Sequence, residues 1–180
     1  MDSAHIQVST DKWKNLEELK NGRYITGVTP YPGHATADVQ QWLNLRFKPE
    51  YAIMAAVDYG VENLASLKKA GYKIDGLNDA EKAKIIYLTH HLGLSDAKRF
   101  IKDEITEGSA KILLTAQVGD ESAKARSKTA GYMKAHRKWL MDYIDGNIKL
   151  SNYFCHEKTT INNPEDIDLI DIIKKINKEI

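Results

Sequence analysis

The chain has little cysteine, little proline and little phenylalanine: among 180 residues there are one, four and three of these. A lone cysteine, Cys155, excludes an intramolecular disulfide and with it the stapled scaffolds of small secreted domains. Beside Tyr153 and Phe154 this thiol reads as a small buried hydrophobe, and only His156 and Lys158 hint at the positive setting that a nucleophilic thiolate needs. No apolar run approaches the length that crosses a bilayer, so no membrane span is expected. The N-terminus lacks the basic-then-apolar order of a signal peptide, and the expectation is synthesis in the cytoplasm without one. An excess of one charge is also missing: 26 Lys+Arg stand against 25 Asp+Glu, a formal net charge of +1. That balance gives no electrostatic case for nucleic acid, and no nucleic-acid partner is expected, although the basic residues need not be evenly spread. Finally, no sequence period marks a solenoid, and no metal-binding, nucleotide-binding or nucleophile signature stands in the chain. Neither a metal nor a cofactor is expected.

What is present is a helical pattern. Hydrophobic residues make up 42% and charged residues 28%, the balance of a globular protein with one full core. The first ten residues are polar and unpatterned; a short amphipathic helix is predicted over 11–20, followed by an extended stretch from Tyr24 and a rigid Pro30-Tyr-Pro-Gly-His turn. Helices are then predicted over 37–47, from Pro49 to an interruption at Gly60, over 61–70, over 78–92, from Ser95 or Asp96, over 110–118, over 129–145, and from Asn163-Pro164 onward. The helix from Pro49 is expected to bury Ile53, Met54, Ala56 and Val57. The helix over 78–92 opens with Asn78 and Glu81 in capping-box spacing and meets its stop at Gly93. The fold class is mainly α, one compact helical domain with a few short extended segments. Its expected organisation is an arm and short helix over 1–28, a helical core over 29–154, and a loop with a C-terminal amphipathic helix over 155–180.

Candidate chemistry starts from two adjacent histidines, His90 and His91, in the last turn of the central helix. They project about 100° apart and cannot face one partner equally. His136, on the apolar face of the helix over 129–145, is positioned to complete a cluster with one of them, and His34 lies in the proline turn with Tyr31. The acids Glu50, Asp58 and Glu62 bracket a short hydrophobic helix. A carboxyl desolvated beside Tyr59 and Gly60 would have a raised pKa and serve as a general acid. Glu50 and Asp58 would be about 12 Å apart along a straight helix, wide for a glycosidase pair, whereas a break at Gly60 would fold Glu62 towards Asp58. Tyr31, Trp42, Tyr59, Tyr87, Trp139 and Tyr143 would suit a sugar platform, although most sit at core spacing.

Thr29-Pro-Tyr-Pro-Gly-His, Trp42-Leu-Asn-Leu-Arg-Phe, Val57-Asp-Tyr-Gly, Tyr87-Leu-Thr-His-His-Leu-Gly-Leu, Ala116-Gln-Val-Gly and Ala135-His-Arg-Lys-Trp-Leu occur in this order over residues 29–154. Together these blocks resemble the lysozyme-like, peptidoglycan-acting C-terminal domains of bacterial type VI secretion effectors and phage-like lysins. The resemblance implies a lysozyme-like helical bundle and an antibacterial hydrolase that cuts the glycan strand of peptidoglycan. Its catalytic candidates are Asp58, Glu62 and Glu50, and its binding candidates are His90, His91, His136, Tyr59, Tyr31 and His34. Asp58 stands where that group normally has a glutamate. Peptidoglycan would be the partner, with an immunity protein or secretion carrier beside it, and delivery would be to the periplasm of a target cell. The alternative is a non-catalytic module that binds cell wall or docks an effector. Such a module would have aromatic rings in its groove without a catalytic acid.

Overall fold

The computed structural model describes residues 47–153 and 166–177. Contacts divide the chain into two compact units, Met1–Tyr59 and Gly60–Ile180. The described residues form six α-helices: α1 (Pro49–Lys69), α2 (Asp79–Ile101), α3 (Glu107–Val118), α4 (Asp120–Ser127), α5 (Gly131–Asn147) and α6 (Leu169–Ile176), with a 3-10 turn at Leu150–Tyr153. There is no strand among the described residues, and the fold is mainly α.

Pro49 opens α1, where its missing N–H costs nothing, and Glu50 and Lys68–Lys69 complement the helix dipole at its two ends. The helix does not stop at Gly60, so the expected break there is corrected. Helical hydrogen bonding needs no side chain, and this glycine serves packing instead. A Cβ at position 60 would lie 2.7 Å from Cγ2 of Ile86, so the missing side chain lets α1 approach α2. In the first unit, Ile53 and Val57 are 63% and 57% exposed, which corrects their expected burial.

Asn78 caps α2: its Oδ1 accepts from the Glu81 amide at 2.9 Å, while the Glu81 carboxylate accepts from the Asn78 amide at 2.7 Å. Gly93 marks a real break within α2. At φ 73° and ψ 156° its backbone is far from helical, a conformation that side chains rarely adopt, and the helix resumes at Leu94 in a new direction. That kink turns Ala97, Phe100 and Ile101 into the same core as Ile85 and Leu88. Thr106 caps α3 and Gly119 ends it. The short α4 escapes a reading by hydrophobic periodicity, because Ala123 is its only buried residue. The long helix expected over 129–145 is α5, and its His136, Leu140 and Ile144 are buried.

The last helix starts at Leu169; its predicted cap, Asn163, lies outside the described residues, as do the Pro30-Tyr-Pro-Gly-His turn and Cys155. The expected organisational boundaries at 28/29 and 154/155 fall outside them too. Leu169, Ile172, Ile173 and Ile176 of α6 pack into the core formed with α2 and α5. The isoleucine stripe therefore covers the domain itself.

Candidate functional site

Two faces of α2 carry buried polar groups, one toward α5 and one toward α6. On the first, Tyr87 and His91 lie one helical turn apart, and His136, Trp139 and Tyr143 recur on one stripe of α5. The rings meet across the helix pair. Tyr87 stacks on His91 at 5.8 Å and 16° and on Tyr143 at 5.8 Å and 29°. Trp139 completes the circuit, 5.9 Å from His91 and 5.6 Å from Tyr143. Phe100, brought round by the Gly93 kink, meets the edge of His136 at 6.1 Å. Arg137 then covers the other ring, with its guanidinium 4.7 Å from the Phe100 centroid and Nη1 donating to the Phe100 carbonyl at 2.6 Å.

The environment sets the protonation of this cluster. Burial, assisted by the neighbouring His91, holds His136 down at about 4, and its Nε2 is buried with no hydrogen-bond partner among the described residues. Burial and then the adjacent His90 also lower His91. Both imidazoles are thus neutral at pH 7, because an apolar wall disfavours the charged form. Burial, with the hydrogen bond to Tyr143, pushes Tyr87 up to about 12. At neutral pH the cluster is an uncharged aromatic surface whose outward edge is Tyr143, 39% exposed.

The second face is charged. Lys84 is 1% exposed, and its ammonium donates to Asp145 Oδ1 at 2.9 Å and to the Ile167 carbonyl at 2.8 Å, with Asp166 Oδ1 also at 2.9 Å. Burial lowers its pKa, but the carboxylates of Asp145 and Asp166 more than offset this, and the net shift is upward. Asp145 also accepts from the first amide of α6, Leu169 N, at 2.9 Å. Glu81 is fully buried, and Lys175 of α6 donates to both of its oxygens at 2.8 and 2.9 Å. These groups tie α6 to α2 and α5.

Among the predicted site residues, the structure brings His91 and His136 together. His90 is exposed and directed away, as the 100° offset requires. Glu50, Asp58 and Tyr59 lie in the first unit, with Glu50 exposed and Asp58 half-buried. Glu62 is exposed on α1. Tyr31 and His34 lie outside the described residues. Sequence reasoning missed Lys84, although a signal existed: it follows Ala80 and precedes Leu88 by one turn each, on the buried stripe of α2. Among the described residues, no group of three or more His, Cys, Asp or Glu is arranged to hold a metal ion, and no helix is long and apolar enough to cross a membrane. The chain matches no family model, no curated protein and no solved structure.

Proposed function

We propose that this chain is a non-catalytic helical module that binds the glycan of bacterial cell wall, within an antibacterial wall-acting protein. The observation that carries this reading is the uncharged ring cluster of Tyr87, His91, Trp139 and Tyr143, which reaches the surface at Tyr143. The apolar C–H face of a sugar packs on such rings, while the Tyr hydroxyls and the Trp N–H supply hydrogen bonds at the rim. The ordered blocks shared with peptidoglycan-acting domains support wall as the source of the sugar.

Of the carboxylates that the hydrolase reading would use, Glu50 and Asp58 are too far apart to act as a pair. Retaining and inverting glycosidases hold two carboxylates about 5–9.5 Å apart across the scissile bond. Glu50 and Asp58 are eight residues apart on one continuous helix, which puts their Cα atoms about 12 Å apart. The ring contacts of the cluster are with other rings and the Arg137 guanidinium, and none is with a carboxylate.

The test is co-sedimentation with insoluble peptidoglycan, run beside an assay for soluble glycan fragments. The unmutated protein should sediment and release nothing. Tyr143→Ser should abolish sedimentation at a temperature where circular dichroism shows the variant still folded, a check needed because the ring also packs on Tyr87 and Trp139. Release of fragments that is lost in Asp58→Asn, Glu62→Gln or Glu50→Gln would replace this reading with the hydrolase. Neither sedimentation nor release would remove wall as the partner.

A further inference from the structure

The near-neutral charge of the chain conceals an asymmetry. Residues 122–141 contain Lys124, Arg126, Lys128, Lys134, Arg137 and Lys138 and no acid. The rest of the chain therefore has 20 of the 26 basic residues against all 25 acidic ones, a surplus of five negative charges. At about 0.1 M salt the Debye length is about 10 Å, so exposed acids farther away than that do little to cancel a local basic cluster.

The structure gathers this segment onto one two-helix unit. The helices α4 and α5 are joined by a three-residue turn over 128–130 and pack on each other, and α3 packs on both. That element order, short helix, tight turn and longer helix backed by a third, is the order of a helix-turn-helix. Lys124, Lys128 and Lys134 are exposed and have no carboxylate partner among the described residues. Arg126 is exposed and donates only to Ser122. Most of the neighbouring acids are engaged, and the exposed Asp120 and Glu121, about one turn from Lys124, are the carboxylates that this face itself carries. Glu107 accepts from the Tyr132 and Met133 amides at 2.6 and 3.0 Å, Asp103 meets Arg137 at 3.3 Å, Asp142 pairs with Lys138, and Asp120 and Glu121 lie in the first turn of α4.

We infer that the face formed by α4, the turn and the first half of α5 binds the phosphate backbone of duplex nucleic acid without regard to sequence. Contact is through the lysines and Arg126. The first amides of α5 are already occupied by Glu107, so the helix N-terminus does not hold a phosphate there. Arg137 is pinned by Phe100 and Asp103, which leaves no rigid fork aimed at base edges and favours backbone contact over base reading. This surface is separate from the ring cluster and does not depend on it for its charge.

The test is fluorescence anisotropy of the full chain with a labelled mixed-sequence duplex of about 20 base pairs, titrated across salt. The unmutated protein should bind in the micromolar range at about 50 mM NaCl, with log affinity falling linearly against log salt. The triple variant Lys124→Gln, Lys128→Gln, Lys134→Gln should weaken binding by about tenfold or more and reduce the salt slope by about 2–3, close to one per lysine removed. A control triple with the same loss of charge at other exposed lysines, Lys69→Gln, Lys73→Gln, Lys102→Gln, should retain most of the affinity. Tyr143→Ser should leave duplex binding unchanged, which separates this result from the wall-binding test. Equal losses in the two triples, or no binding by the unmutated chain, would overturn the inference. So would tighter binding, at equal phosphate concentration, to polyglycerol phosphate or to vesicles containing phosphatidylglycerol, since the partner would then be another class of polyanion.

Discussion

The two polar faces of α2 solve one problem in opposite ways. Toward α6, two ionisable side chains are buried and paired with opposite charge: Lys84 between Asp145, Asp166 and a carbonyl, and Glu81 under Lys175 and the Asn78 amide. Toward α5, polar groups are buried and kept neutral, as in His136, which has one nitrogen without a partner among the described residues. A buried charge persists only where opposite charge and hydrogen bonds surround it, and otherwise the group neutralises, an imidazolium or ammonium by losing a proton and a carboxylate by gaining one. The α6 face is therefore an ion-paired fixture, whereas the α5 face keeps polar capacity in an aromatic wall. That difference is why the ring cluster, and not the ion pairs, is the place to look for a ligand.

The largest expected effect comes from breaking the charged face. Lys84→Met should lose about 3–5 kcal/mol in urea denaturation, because Asp145 remains beside the core without its cation. A loss below about 1 kcal/mol would mean that the clamp adds nothing beyond packing. The neutral face should respond to acid. An ordinary imidazole protonates at 6.5, whereas His136 in the folded protein resists until about 4. As pH falls between these values the unfolded chain takes up a proton that the folded one refuses, so this contribution is complete above pH 6.5, declines down to about pH 4 and is flat below. The difference in unfolding free energy between pH 7 and pH 4 should be about 3 kcal/mol smaller in His136→Leu than in the unmutated protein. Equal acid losses in both would show that His136 is not held neutral.

Smaller effects sharpen the contrast. Gly60→Ala places a methyl 2.7 Å from Ile86 Cγ2 and should cost about 1–3 kcal/mol despite the better helix propensity of alanine, with most of it recovered in combination with Ile86→Ala. Full additivity of the two changes would place the cost elsewhere than in this contact. The smallest effect is expected at the surface. Lys138 meets Asp142 at 2.9 Å, the same separation as Lys84 and Asp145, yet both members of this pair are exposed. Lys138→Gln should change stability by less than about 0.5 kcal/mol, which would show that surroundings, not distance, decide what an ion pair contributes.

Much of this organisation was legible in the chain. The capping box at Asn78 and Glu81, the stop at Gly93, the end of α3 at Gly119 and the apolar stripe of α5 are local devices, set by neighbours three or four residues away. The errors came where a residue acts on a distant part of the chain. Gly60 suggested a break, but its role is to admit Ile86. The short α4 has almost no apolar stripe and is held by packing against α3 and α5. Ile53 and Val57 fit a core pattern, yet they are exposed. Of the candidate site, the offset of His90 from His91 and the stripe bearing His136 were readable from helical geometry. The approach of His91 to His136, close enough to lower its pKa, was not, since it depends on how α2 meets α5.

By itself, then, the sequence determined the helical class, most helix ends and the faces that the helices turn inward, because capping and periodicity are short-range. Only the tertiary structure decided which buried polar groups would be charged. Lys84 is 61 residues from Asp145, and Lys175 is 94 from Glu81, so their pairing exists only once α5 and α6 have docked. Protonation follows from desolvation and neighbouring charge, and both are properties of the packed molecule rather than of any segment of the chain.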